Sequence, residues 1–97
     1  MKKIDFRKIT VEINFDGEKR DIDVHKELAN YAKLKTTDIG FEDFCREIYH
    51  NGEVEVDDKY AKVLKSILSL PDCYFYAYVK RGIINALNDI EGNDENK

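Results

Sequence analysis

The chain has 97 residues, of which 42% are hydrophobic and 37% charged, with a formal net charge of −4. That length suits one domain with one modest core and excludes two, and the composition is globular rather than disordered. The charge is uneven, with nine Lys/Arg against seven Asp/Glu over residues 1–35 and seven against thirteen over residues 36–97; an acidic chain is not expected to bind DNA or RNA in general, because cations on phosphate supply most of that affinity.

The opening, Met1 to Arg7, is basic but has no apolar run behind it, so neither a signal peptide nor a membrane span is expected. In residues 8–15, Ile9, Val11, Ile13 and Phe15 alternate with Thr10, Glu12 and Asn14, the period of a half-buried strand. Asp16-Gly17 predicts a tight hairpin turn, and a return strand over 18–24 places Ile22 and Val24 on one face. Two strands alone are marginal in water, so helices must cover them.

Asp23 is a candidate cap for a helix over 25–35 with Leu28, Tyr31 and Ala32 inward. Thr36-Thr37-Asp38 interrupts it and offers new caps. A second helix over 39–50 carries Phe41, Phe44, Cys45, Ile48 and Tyr49 on one stripe, and Asn51-Gly52 stops it. Residues 53–56, Glu-Val-Glu-Val, suit either a short third strand or an extended link. Asp57 then caps a helix over 58–69 with Tyr60, Val63, Leu64, Ile67 and Leu68 inward. Pro71 suits the first turn of a fourth helix over 72–90, lined by Phe75, Tyr78, Val79, Ile83, Ala86, Leu87 and Ile90. Residues 91–97 contain no apolar side chain and read as a disordered acidic tail on a single domain over 1–90. The fold class is therefore α+β, an N-terminal β-hairpin packed by three to four helices.

No catalytic, metal or cofactor motif stands out. His25 lies at a strand-to-helix junction, and His50 in a helix's last turn, where its charge suits the dipole. Cys45 and His50 are five apart, about 140° around a helix axis, whereas zinc ligands on one helix lie three or four apart. Cys45 and Cys73 sit among apolar neighbours, as inert packing thiols do. Their spacing suggests no disulfide, and a reducing, cytoplasmic setting is expected. Neither an enzyme nor a bound cofactor is expected.

Three features remain for binding. The acidic run Glu53, Glu55, Asp57 and Asp58 is a solvated face or a patch for a basic partner. Lys59, Lys62 and Lys65, with Lys80 and Arg81, give two helices a basic edge that serves as the nucleic-acid alternative, although no helix-turn-helix or Gly-rich loop accompanies it. Tyr74-Phe75-Tyr76-Ala77-Tyr78 cannot point all its rings to one core if helical, so Tyr74 and Tyr76 are left toward another surface, where aromatics often anchor partners. A protein partner or a homo-oligomer is the expected use, with neither membrane nor nucleic acid as the main one.

Residues 46–56, Arg-Glu-Ile-Tyr-His-Asn-Gly-Glu-Val-Glu-Val, followed by an acidic-capped helix and a terminal helix, resemble small proteins encoded by bacteriophages and prophages. The resemblance implies a mobile-element setting inside a bacterial cell or phage-infected host, and a chain that opens with a strand and an Asp-Gly turn. This sequence departs from it in the longer, more aromatic segment 69–78. That group has no settled activity, so no functional residue is carried over.

Overall fold

A computed structural model describes the backbone of residues 2–92 and the side chains up to Asn88. The elements run β1 (Lys2–Asp5), β2 (Ile9–Glu12), β3 (Lys19–Ile22), α1 (His25–Lys33), α2 (Ile39–Asn51), β4 (Glu53–Val56), α3 (Asp58–Leu68) and α4 (Ala77–Gly92). The arrangement is α+β with the expected hairpin, but it holds two separate two-stranded sheets rather than one. None of the described helices is long and apolar enough to cross a membrane.

β2 and β3 form the hairpin, with Ile9 opposite Ile22 and Glu12 opposite Lys19. Ile9 and Val11 are buried, Ile13 is half-buried and Phe15 stands fully in solvent. The alternation fails at Phe15 because the turn begins sooner than expected. The Asn14 side chain accepts the N–H groups of Asp16 (3.0 Å) and Glu18 (3.3 Å) and donates to Glu18 Oε1, an Asx-type bend that turns the chain before Phe15 reaches the core. Gly17 alone of the Asp16-Gly17 pair has positive φ, +95°. The connection is thus a wider loop closed by Ile13 N–H on the Glu18 carbonyl, not a two-residue turn.

Residues 53–56 do form a strand, and its partner is the chain's own start. β4 pairs antiparallel with β1, placing Ile4 opposite Val54 and Asp5 opposite Glu53. Ile4, Val54 and Val56 bury beneath the helices, and Phe6, just past β1, is wholly enclosed.

The helices keep their predicted stripes. Leu28, Tyr31 and Ala32 of α1, Phe41, Phe44, Cys45 and Ile48 of α2, and Leu64, Ile67 and Leu68 of α3 are buried; the expected Tyr49, Tyr60 and Val63 are only half-buried against the core, and Ala61 is buried where no inward residue was expected. Asp38 and Asp57 accept the N–H groups of Phe41 (3.0 Å) and Tyr60 (2.8 Å) as N-caps. Asp23 does not take that position. The N-cap of α1 is Val24, while Asp23 lies one residue outside and accepts both the backbone N–H and the Nδ1 of His25. Gly52 ends α2 with φ +78° and its N–H on the Ile48 carbonyl.

The predicted fourth helix is corrected at its start. Residues 69–76 form a strap instead, because Asp72 is drawn to the C-terminal end of α1, where it accepts from the Tyr31 hydroxyl (3.1 Å) and pairs with Lys35 in the turn just beyond the helix. Burial then alternates along the strap, with Cys73 and Phe75 half-buried and Tyr74 and Tyr76 exposed, as an extended segment requires. Rings of Tyr74 and Phe75 pack edge-on to Tyr31 at 5.3 and 5.9 Å. Inside α4, Val79, Ile83 and Leu87 are buried, but Tyr78 faces solvent rather than the core. The side chain of Ile90 and residues 93–97 of the expected tail lie outside the described residues, and α4 itself continues to Gly92, two positions past the predicted domain end.

α4 crosses the hairpin at Gly82. A Cβ there would fall 2.7 Å from both the Thr10 carbonyl oxygen and Val11 Cγ1, so only glycine allows this approach.

Candidate functional site

A groove of about 850 Å³ lies between β1, β2 and the first half of α4. Its walls follow from the fold. All four residues of β1 and all four of β2 border it, whereas no residue of β4 and only Lys19 of β3 do. Each strand has its one paired edge turned away, so the groove opens on the two unpaired edges. Ile9, Val11 and Gly82 contribute an apolar floor.

Among the described residues, this border carries Lys2, Lys3, Lys8, Lys19 and Arg81 against the carboxylates Asp5 and Glu12. Asp5 is already engaged: Arg7 Nε donates to it at 2.9 Å, and that hydrogen bond holds the Asp5 carboxyl below its ordinary value. In a chain of net charge −4, the groove is therefore a local basic region. Phe15 and Tyr78 stand on its rim. Tyr76 stacks beside Tyr78, with ring centroids 6.2 Å apart and planes 13° from parallel, extending the rim into an aromatic ledge.

The structure divides the predicted contact residues. Tyr76 is 74% exposed and joins the ledge. Tyr74, 62% exposed, instead packs one edge against Tyr31 and Phe75. Glu53, Glu55 and Asp57 border a different, shallower hollow with Asp43 and Glu47 of α2; Asp58 is exposed in the first turn of α3. Lys3 borders both this acidic hollow and the basic groove, so the two faces adjoin but do not merge.

The predicted basic edge is also divided. Lys59 and Lys62 are exposed on α3, and Lys65 donates to Asn88 Oδ1 across the α3–α4 seam at 2.9 Å. Lys80 is half-buried, and of these five only Arg81 reaches the groove. Sequence reasoning missed Lys2, Lys3, Lys8 and Lys19. The available signal was the basic excess of residues 1–35, which gave no hint of which cations would meet α4.

Four titratable groups outside the groove are tied into structure. Burial pushes the Cys45 thiol up to about 11. Burial, with the Asp72 hydrogen bond second, raises the Tyr31 phenol. Asp23 is held below its ordinary value by the His25 hydrogen bond, and Asp72 by Lys35 and then Tyr31. Cys45 and His50, expected on different sides of α2, border a common hollow of about 230 Å³ with Glu42 and Arg46, because Cys45 lies at its buried floor and His50 at its edge. No grouping of three or more metal-ligating side chains occurs among the described residues.

Comparison with protein families, with curated proteins and with solved structures finds no match to this chain.

Proposed function

We propose that the chain is a non-enzymatic interaction protein, phage- or prophage-encoded as residues 46–56 suggest, that holds a segment of a protein partner in the groove between β1, β2 and α4. An assembly accessory factor and an inhibitor of a host or defence protein both fit this description. The observation that supports it is the coincidence of unpaired strand edges, basic lining and an exposed aromatic ledge on one concave surface. Edges of this kind invite another chain unless they are blocked, and exposed tyrosines are efficient contact anchors. Among the described residues no histidine or cysteine borders the groove, and Asp5, one of the two carboxylates described there, is engaged by Arg7, so acid–base or nucleophilic chemistry finds little support there.

The test is photo-crosslinking in the native host from position 78, with position 62 on α3 as the control. A discrete protein adduct from position 78 and none from position 62 is the expected result. Equal adducts from both, or none from either, would remove the groove as the binding surface.

A nucleic-acid regulator is the second reading, favoured by Phe15 and Tyr78 beside five cations, since single-strand binders combine stacking rings with a basic groove. It moves from the expected Lys59, Lys62, Lys65, Lys80 edge to the groove, keeping Arg81. Salt-sensitive retention on an oligonucleotide would favour it.

A further inference from the structure

We infer that the partner segment is an extended acidic peptide, added as a strand to the free edges of β1 and β2; this rests on the groove being a protein-binding surface. The backbone makes the first argument. In an antiparallel ladder, alternate residues turn their N–H and C=O away from the partner strand. Ile13 N–H bonds the Glu18 carbonyl across the hairpin, which sets Ile9 and Val11 as the paired positions and turns Thr10 and Glu12 outward. Phe6 N–H on the Gly52 carbonyl sets the same alternation on β1 and turns Lys3 and Asp5 outward, the Asp5 carbonyl already accepting from the Lys8 N–H. Gly82 crowds the Thr10 carbonyl, so Lys3 and Glu12 offer the open main-chain groups. A peptide matches alternating donors and acceptors, whereas a phosphodiester backbone offers acceptors only.

Charge makes the second. Lys2, Lys3, Lys19 and Arg81 line the groove beside those edges, and side chains of an added strand alternate between its faces, so acidic residues at every second position would meet the cations of one face, Lys2 and Lys3 pointing to opposite ones. The third is extent. Four-residue strands are about 13 Å long, which accommodates a short segment. A long polyanion would run past Lys3 onto the hollow lined by Asp43, Glu47, Glu53 and Glu55, where like charge repels it.

The experiment measures fluorescence anisotropy of the full chain with a labelled peptide of about seven residues alternating Glu and Val. Three further probes are its Lys–Val counterpart, a version N-methylated at alternate residues, and a dT oligomer of similar length. The acidic peptide should bind about tenfold or more tighter than the basic one, and N-methylation should cost a similar factor by removing donors that strand pairing needs. K3E/R81E, both exposed positions, should abolish binding, while K59E/K62E should leave it unchanged. The methylated ligand leaves the protein untouched, so the proposal stays testable even if K3E/R81E folds poorly. Binding indifferent to N-methylation would refute strand addition. Preference for the dT oligomer would assign the groove to nucleic acid. If no probe binds while position 78 still crosslinks a protein, the acidic-strand chemistry is wrong and the interaction function stands. If crosslinking fails too, both fall.

Discussion

Replacing Gly82 with Ala tests the contact that shapes the groove. In an exposed helix interior this change is favourable by about 0.8–1.0 kcal/mol. Here the new Cβ would lie 2.7 Å from the Thr10 carbonyl oxygen and from Val11 Cγ1, against an ordinary carbon-to-oxygen separation of about 3.3–3.6 Å. The obstacle on one side is backbone, which cannot rotate away, so α4 must retreat from β2 by roughly 0.6 Å or more to restore ordinary contact. Overpacking of this kind costs about 1–3 kcal/mol. The packing loss outweighs the helix gain, leaving a net destabilisation of about 1 kcal/mol with a range of roughly 0–2. For a domain of this size each kcal/mol lowers Tm by about 4–8 °C. Urea unfolding followed by circular dichroism reads the effect as a lower midpoint at unchanged slope. Because Gly82 borders the groove, binding should weaken together with stability. An Ala variant more stable than the parent by the full propensity gain would show that α4 does not approach β2 this closely.

Gly52→Ala should cost about 1–3 kcal/mol, because φ is +78° and the new Cβ would strike Arg7 Cδ. Arg7→Ala in the same background should relieve the collision but not the backbone strain, and paired urea midpoints separate the two. Asp5, Asp23 and Asp72 are each held below the ordinary carboxylate value in the folded chain by Arg7, His25 and Lys35 respectively. Their contributions are therefore complete above about pH 3.9 and disappear as pH falls through the lower folded values; Asp72→Asn should lower neutral-pH stability slightly, the pair being exposed, and reduce the acid loss by the same small amount, leaving stability below the folded values unchanged. Tyr74→Ala should lose about 0.5–1.5 kcal/mol through its Tyr31 and Phe75 ring contacts. Tyr76→Ala with Tyr78→Ala should stay within about 1 kcal/mol of the parent while lowering the crosslinked yield from position 15.

The parts of the fold that proved legible are those specified by neighbours in sequence. Phe41, Phe44, Cys45 and Ile48 fall on one helical stripe and are buried together, and Asp38 and Asp57 cap as their positions suggest. β1 was not legible because only Ile4 among its four residues turns inward, and its pairing with β4 depends on residues some fifty positions away. The strap departs from the expected helix because apolar residues there satisfy a helical period while Asp72 prefers Tyr31 of α1 and Lys35 in the turn after it, a tertiary contact overriding a local pattern. The site suffered the same fate. Arg81 was visible as a surface cation, but its companions Lys2, Lys3, Lys8 and Lys19 join it only once α4 lies across the hairpin.

The groove follows from how the core closes. β1 and β2 are neighbours in sequence, and the Lys8 N–H to Asp5 carbonyl bond already bends the chain between them, so simple pairing into one sheet would be the short route. Two buried groups oppose it. Phe6, in the bend itself, turns wholly into the core and fixes both sheets to it, its N–H on Gly52 and its carbonyl accepting from Val24. On the other side, α4 seats Gly82 against Thr10, and Val79, Ile83 and Leu87 are buried in the same core. Closing the gap would require withdrawing these side chains, at about 25 cal/mol for each Å² of apolar surface returned to water. The gap between the strands is thus held open by the same packing that stabilises the domain, and an added strand could satisfy the open groups of Lys3 and Glu12 without unfolding anything.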